Sequence, residues 1–145
     1  MNTFPIAIVV SEFNQPITQA LFDGAHGHLL EMGFTEDQIK TNWVPGAIEI
    51  PVTVQRLAKT GSFEAIIALG AVIQGETKHF DYVCQQVSYG CQRLALDHEL
   101  PVIFGVLTTD NFEQAQARVS GAKGHKGKEA AQAAITMVEV LHSID

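Results

Sequence analysis

Residues 118–128 concentrate positive charge in an otherwise acidic chain. Arg118, Lys123, Lys126 and Lys128 are four of the nine lysine and arginine residues, and the segment contains no acidic residue. Lys126 and Lys128 flank the predicted start of a helix, where the helix dipole disfavours cations. The three glycines of the segment would also suit a flexible, solvated loop. Cations at a helix N-terminus are locally unfavourable, and such exceptions are often found at functional sites. We therefore favour a phosphate-binding role for this segment.

A second polar segment precedes His79. Gly75 and Thr77 would present backbone amides and a hydroxyl at a predicted helix N-terminus, which attracts anions, although no Walker A pattern occurs. The helix dipole disfavours an imidazolium here, and the neutral ring of His79 would suit a general base. A surface histidine without a role is an equally good reading of the residue type alone.

Two further loops carry residues that could bind a planar, hydroxylated ligand. Phe13 follows an apolar run and could be a platform for a planar ring, although packing onto its own helix is the commoner role. Glu49 follows the Pro45-Gly46 turn. Its carboxylate could accept hydrogen bonds from sugar hydroxyls, or it could be a first-turn acid favoured by the helix dipole.

Alternating strand and helix patterns place these segments in the fold. Apolar runs predict strands at 6–10, 38–44, 65–69 and 102–107, each followed by a helical pattern, with a last helix from about Gly127. Asn14 is predicted to cap the first helix, which Gly33 ends, and Thr109 or Asp110 to cap a short fourth helix.

This order of elements predicts an α/β fold, a flavodoxin-like three-layer αβα sandwich. Its four-stranded parallel sheet is expected in the order 2-1-3-4, with helices on both faces. Ligands bind at the carboxyl ends of the strands in such sheets. Phe13, Glu49 and His79 are therefore expected to cluster at that edge.

Composition limits the classes of protein. With 145 residues, 46% of them hydrophobic, we expect one domain over residues 1–145. The net charge of −7 argues against nucleic-acid binding. The charged fraction of 17% is low, which indicates that much of the surface is apolar or is buried in an assembly. Cys84 and Cys91 are expected in the core rather than in a disulfide, and we expect a cytoplasmic protein with no membrane span. The histidines lack metal-ligand spacing, so no metal site is predicted.

Read in order, the loops resemble those of the lumazine synthase family over nearly the whole chain. Phe13-Asn14 resembles that family's R-F-N element, and Val44–Pro51 its V-P-G-A-[FY]-E-[IL]-P motif. Leu69–Val83 resembles the L-G-x-V-I-R-G-x-T-x-H-[FY] signature, and 101–109 and 118–127 complete the set. Five motifs in the same order are far more specific than any one of them.

The resemblance implies a flavodoxin-like protein that forms a homopentamer or a higher assembly, with active sites between subunits. The implied reaction joins 5-amino-6-(D-ribitylamino)uracil to 3,4-dihydroxy-2-butanone 4-phosphate and gives 6,7-dimethyl-8-ribityllumazine, the penultimate step of riboflavin biosynthesis. No cofactor is expected, because the substrate's own amine forms the imine. Riboflavin synthase is a candidate partner.

The resemblance also implies roles for individual residues, with His79 as the acid/base. The residues implied to bind the pyrimidinedione and its ribityl chain are Phe13, Ala47, Ile48, Glu49, Val72, Ile73, Phe104 and Lys126. Those implied to bind the keto-phosphate are Gly75, Glu76, Thr77 and Arg118. Of these, Phe104, Arg118 and Lys126 are expected from the adjacent subunit.

Three positions depart from the family pattern. Gln74 stands where arginine is common, Ile48 replaces an aromatic residue, and Glu12 replaces an arginine. The first is expected to weaken keto-phosphate affinity and the second packing around the ribityl chain. Two alternatives stay open: a flavin-binding flavodoxin-like module, which would retain a yellow cofactor, and a catalytically weak shell or scaffold protein of the same family.

Overall fold

The chain alternates strands and helices throughout, and the computed structural model describes residues 2–145. The elements are β1 (Ile6–Ser11), α1 (Gln15–Glu31), β2 (Ile39–Val44), α2 (Ile50–Lys59), β3 (Ala65–Ile73), α3 (His79–His98), β4 (Val102–Thr109), α4 (Phe112–Ala117) and α5 (Lys126–Ile144). Short 3₁₀ turns, Glu36–Gln38 and Ala47–Glu49, precede β2 and α2. The strands form one parallel sheet in the order β2-β1-β3-β4, which confirms the predicted topology.

Two hydrophobic cores lie on opposite faces of this sheet. Ile6, Ile8 and Val10 of β1 pack against α1 and α5, whereas the alternate residues Ala7 and Val9 pack towards α2 and α3. All six residues of β1 are buried because both faces are covered. A strand that is covered on both faces is apolar at every position, which explains the continuous apolar run that predicted β1. No helix within residues 2–145 is long and apolar enough to cross a bilayer.

β3 and β4 extend beyond their predicted ends. Val72 pairs with Thr108 and Ile73 with Thr109 in the parallel register. The two strands therefore support each other past the apolar runs from which they were predicted. Their paired ends carry the loops that begin at Gln74 and Asp110 towards the same edge of the sheet.

The helix ends show where local sequence signals hold and where they fail. Gly33, at φ 97°, ends α1 as predicted, and the amide of Phe34 bonds back to the carbonyl of Leu29. The predicted cap of α4 was wrong: Asn111, rather than Thr109 or Asp110, accepts the hydrogen bond from Gln114 N at 2.8 Å. Thr109 instead donates its hydroxyl to the carbonyl of Asn111.

The two cysteines differ in environment. Cys91 is buried in the core between α3 and the sheet, as expected, but Cys84 is only half-buried, so the prediction of a core position was wrong for Cys84. Both thiols are free. Burial raises the pKa of Cys91 to about 11, and burial together with the charge of Asp81 raises the pKa of Cys84. Neither thiol is activated as a nucleophile.

Candidate active site

A cavity of about 550 Å³ opens at the carboxyl edge of the sheet. The loops after β1, β2 and β3 and the first turn of α3 form its walls. It brings together the residues that the sequence analysis placed at this edge: Phe13, Ala47, Ile48, Glu49, Val72, Ile73, Gly75, Thr77 and His79. Asn14, Phe80 and Val83, which the sequence analysis had not assigned to a site, also line it.

Two backbone hydrogen bonds to the end of β2 hold the Phe13 segment at the cavity. The amide of Glu12 donates to the carbonyl of Val44 at 2.8 Å, and that of Phe13 to Pro45 at 3.1 Å. These bonds continue the pairing of β1 and β2 past the ends of the strands. The ring of Phe13 is 70% exposed and is not packed as a hydrophobic staple. An exposed ring fixed at a cavity rim is suited to stacking.

Asn14 does not have its predicted role. It occupies the N-cap position of α1, but its side chain makes no capping hydrogen bond. Its backbone is left-handed, with φ 65°, and its side-chain amide donates to the carbonyl of Ala71 at 2.9 Å. Asparagine tolerates this conformation better than most residues. Asn14 therefore ties the Phe13 loop to the end of β3.

The loop after β2 supplies an apolar wall with one acidic group. Ala47 is buried and Ile48 is partly exposed to the cavity. The Glu49 carboxylate folds back beside Gly46, where a side chain would come 3.1 Å from its Oε1 atom. Glu49 N bonds to the Gly46 carbonyl at 3.2 Å, which closes the tight turn predicted from Pro45-Gly46. The carboxylate lies at the cavity wall and can accept hydrogen bonds.

The loop after β3 presents free donors to the same cavity. Gln74 N is bonded to the Thr109 carbonyl at 2.9 Å, whereas the amides of Gly75, Glu76 and Thr77 make no hydrogen bond within residues 2–145. Gly75 and Thr77 line the cavity; Glu76 lies outside its lining. The Thr77 hydroxyl accepts a bond from His79 N at 3.3 Å. Unbonded amides just before a helix suit a small anion.

His79 is the first residue of α3, and its side chain lines the cavity beside these donors. Its imidazole is solvent-accessible and makes no hydrogen bond within the described residues, so it is free to exchange a proton with a ligand. No cluster of three or more histidine, cysteine, aspartate or glutamate side chains in residues 2–145 could hold a metal ion. His79 and Glu49 are the ionisable side chains that line the cavity.

The remaining predicted residues lie on a different surface. Phe104, Arg118 and Lys126 line a groove along the open edge of β4, with a volume of about 450 Å³. None of residues 2–145 lines both this groove and the cavity. Phe104 is 42% exposed there. One chain thus divides the predicted site residues into two sets.

Local contacts arrange the cations of the groove. Arg118 Nη1 donates to the Gln114 carbonyl at 2.7 Å, and Lys126 N donates to the Arg118 carbonyl at 2.9 Å. Lys126 Nζ lies 3.3 Å from Glu129 Oε1, in an exposed pair that contributes little to stability. The other guanidinium donors of Arg118 make no hydrogen bond in the described part of the chain, and a phosphate could use them.

The chain is similar to proteins of one family over nearly its full length. A family model described as 6,7-dimethyl-8-ribityllumazine synthase matches residues 3–142. Proteins of that name from Coxiella burnetii strains CbuG_Q212 and RSA 493 / Nine Mile phase I are each 52% identical over 144 residues, which covers 99% of this chain and 95% of the relative. The protein of that name from the Dugway 5J108-111 strain has the same identity and coverage.

Proposed function

The chain belongs to the 6,7-dimethyl-8-ribityllumazine synthase family, and on that basis we infer that it is a transferase of riboflavin biosynthesis. It condenses 5-amino-6-(D-ribitylamino)uracil with 3,4-dihydroxy-2-butanone 4-phosphate to give 6,7-dimethyl-8-ribityllumazine, phosphate and water. The observation that carries this conclusion is the 52% identity over 99% of the chain. The cavity at the carboxyl edge supplies groups of the kinds that this reaction needs.

We propose that the cavity binds the pyrimidinedione. The ring of Phe13 stacks on the heterocycle, and Ala47, Ile48, Val72 and Ile73 line the remaining sides. The exposed position of Phe13 supports the stacking role, because a ring that already packed on its own helix could not cover a ligand. Glu49, held in the Gly46 turn, accepts hydrogen bonds from the ribityl hydroxyls.

The loop after β3 is proposed to bind the phosphate of the second substrate. The free amides of Gly75, Glu76 and Thr77 give this loop its donors. Arg118 supplies a planar cation whose paired N–H groups match the phosphate oxygens. Gln74, without a charge, cannot strengthen this grip as the family's usual arginine would, which leaves a larger share of phosphate binding to Arg118.

His79 is proposed as the acid/base of the reaction. The substrate amine attacks the ketone, water leaves as the imine forms, phosphate is eliminated, and the second amine closes the ring with loss of water. The protein aligns the two reactants and moves protons, and no covalent attachment to the chain is needed. The solvent-accessible imidazole lines the same cavity as Gly75, Thr77 and Phe13, which supports a role in these proton transfers.

We propose a homopentamer in which each active site joins two subunits. The division of the site supports this: the cavity holds His79 and the separate β4 groove holds Arg118. Exposed apolar residues support it too, because Tyr82, Tyr89 and Leu96 recur every seven positions along α3. An exposed apolar stripe of this kind is typical of a surface that a partner covers. In such an assembly the groove of one subunit faces the cavity of its neighbour.

Three further parts of the proposal concern the protein in its cell. We propose that residues 1–145 act as one domain, which the family match over residues 3–142 supports. The free thiols of Cys84 and Cys91 support a reducing, cytoplasmic compartment. Riboflavin synthase, which takes the product of this reaction, is the proposed partner enzyme.

The direct test is to mix the purified protein with both substrates and to follow lumazine fluorescence. We expect product only when both substrates are present. The absence of turnover under conditions in which a known family member is active would support a scaffold protein instead. A yellow cofactor retained through purification, without turnover, would support a flavin-binding module.

A further inference from the structure

His125, which the function described above does not use, caps the helix that begins with Lys126. Its Nδ1 atom accepts a hydrogen bond from Lys128 N at 3.4 Å, so the side chain acts as the N-cap of α5. The residue is half-buried, and it lines neither the cavity nor the β4 groove. The direct role of His125 is therefore to stabilise the start of α5. The residues that contact it show which part of the site it could position.

α1 contains a glycine at the place where the His125 ring lies. Gly24 is in the interior of α1, where glycine normally destabilises a helix. A side chain at Gly24 would overlap the imidazole of His125 at Cε1 and Nδ1. Gly127 shows the same pattern from α5, because a side chain there would overlap the Leu21 carbonyl. The two glycines allow the first turn of α5 and the His125 ring to seat directly on α1.

This seat is connected to the phosphate-binding arginine by backbone hydrogen bonds. Lys126 N donates to the Arg118 carbonyl at 2.9 Å, and Lys123 N donates to the Ala117 carbonyl at 2.9 Å. The start of α5, the loop before it and the end of α4 therefore form one connected segment. A shift of the first turn of α5 would carry Arg118 with it.

We propose that His125 is a positioning residue for the keto-phosphate half of the site. Its ring seats the 118–128 segment on α1 at Gly24 and caps α5, and this fixes Arg118 and Lys126 on the face presented to the neighbouring subunit. The proposal rests on the function inferred above. It predicts that a substitution on α1 that displaces the imidazole will weaken keto-phosphate binding, although no residue of the site itself is changed.

Steady-state kinetics of four single variants of the assembled protein test this. His125→Ala removes the ring and Gly24→Ala displaces it, so both are expected to raise KM for the keto-phosphate about 3- to 10-fold, the size expected for losing one helix cap. KM for the pyrimidinedione should rise less than KM for the keto-phosphate, since the residues of its cavity are untouched and only Lys126 of its assigned residues lies in the displaced segment. Binding of inorganic phosphate, measured by calorimetry, should weaken by the same factor.

The chain offers matched controls. Gly27 lies one turn further along α1 with nothing near its missing side chain, so Gly27→Ala should leave both constants unchanged. His125→Asn restores a capping acceptor but not the ring, so it should recover only part of the rise in KM for the keto-phosphate that His125→Ala causes. The shorter asparagine does not need the space at Gly24. Adding Gly24→Ala to His125→Asn should therefore have no further effect.

The outcomes separate this proposal from the inferred function. Parent-like phosphate binding in His125→Ala, equal rises in both KM values, or identical behaviour of Gly24→Ala and Gly27→Ala would overturn the role of His125. If Gly24→Ala does not fold, the comparison of His125→Ala with His125→Asn decides alone. A parent protein that binds phosphate but forms no lumazine would contradict the inferred function, and the calorimetric series would still decide the role of His125.

Discussion

Co-expression of His79→Ala chains with Arg118→Ala chains should restore turnover that neither variant has alone. His79 lines the cavity and Arg118 lines the β4 groove, and no residue in the described part of the chain lines both surfaces. If neighbouring subunits combine the two surfaces, an Arg118→Ala chain can supply His79 while the next His79→Ala chain supplies Arg118. Such a site contains both wild-type residues.

The expected recovery of turnover follows from how the two kinds of chain are distributed among the subunits of the pentamer. With equal amounts of the two chains, each contributor to a site is of the required type half of the time, so about one quarter of the sites are intact. His79→Ala alone should turn over about 10²-fold more slowly, the lower end for losing an acid/base. Arg118→Ala should lose about 10- to 150-fold in kcat/KM for the keto-phosphate, the range for a charge-assisted hydrogen bond. A recovery to about 25% of the parent rate is therefore at least about 2.5-fold above the background of either single variant.

The assay uses two affinity tags so that tandem purification isolates mixed assemblies. Lumazine formation is measured with the keto-phosphate below saturation, where both single variants are weakest. Parent chains co-expressed with the His79→Ala/Arg118→Ala double variant provide the matched control. In that control about one quarter of the sites should also be intact, because an intact site then needs two neighbouring chains that are both parental.

Mixed assemblies that stay at the level of the single variants, while the control mixture is active, would refute the shared site. That result would mean that His79 and Arg118 of the same chain work together. Parental activity in Arg118→Ala alone would instead refute its assignment to the phosphate, whatever the mixtures show.

Three further predictions concern single residues. Arg118→Ala should raise KM for the keto-phosphate and leave that for the pyrimidinedione unchanged, with Arg118→Lys only a partial rescue because lysine lacks the planar fork; varying each substrate separately checks this. Phe13→Ala should raise KM for the pyrimidinedione about 2- to 10-fold, the worth of one aromatic stack, and equal KM values for parent and variant would contradict the stacking role. The pKa of Cys91 is raised by burial to about 11 from an ordinary value of 9.0, so the folded state holds this proton more tightly than the unfolded state. Stability that is complete below pH 9 should therefore be lost between pH 9 and 11, by about 2–3 kcal/mol, and urea unfolding of Cys91→Ala should lack this part of the decline.

The strands and their order could be predicted from the sequence because their signal is local. The run from Ile6 to Val10 is apolar at every position, since both faces of β1 are covered. Because strands alternate with helices and the crossovers between parallel strands are right-handed, only a few strand orders were possible for the sheet. Gly33 marked the end of α1 correctly, because a left-handed helix end is a property of the backbone at that residue alone.

Contacts between distant segments limited the prediction of side-chain roles. Asparagine is a residue type that often caps helices, but the side-chain amide of Asn14 donates to the carbonyl of Ala71, 57 residues away in the sequence. β3 and β4 run beyond their apolar cores because each supplies the hydrogen bonds of the other. The ring of His125 lies against Gly24 of α1, a contact that the residues next to His125 in the sequence do not predict.

The sequence by itself determined the parallel sheet, its strand order and the residue types at its carboxyl edge, because hydrophobic period and turn chemistry are written locally along the chain. Only the tertiary structure decided which of those residues share a cavity. It placed Phe13, Glu49 and His79 around one space and left Phe104, Arg118 and Lys126 on another surface. The reason is physical: a loop's position is fixed by the strands and helices on which it packs, and those contacts join residues that spacing along the chain does not relate.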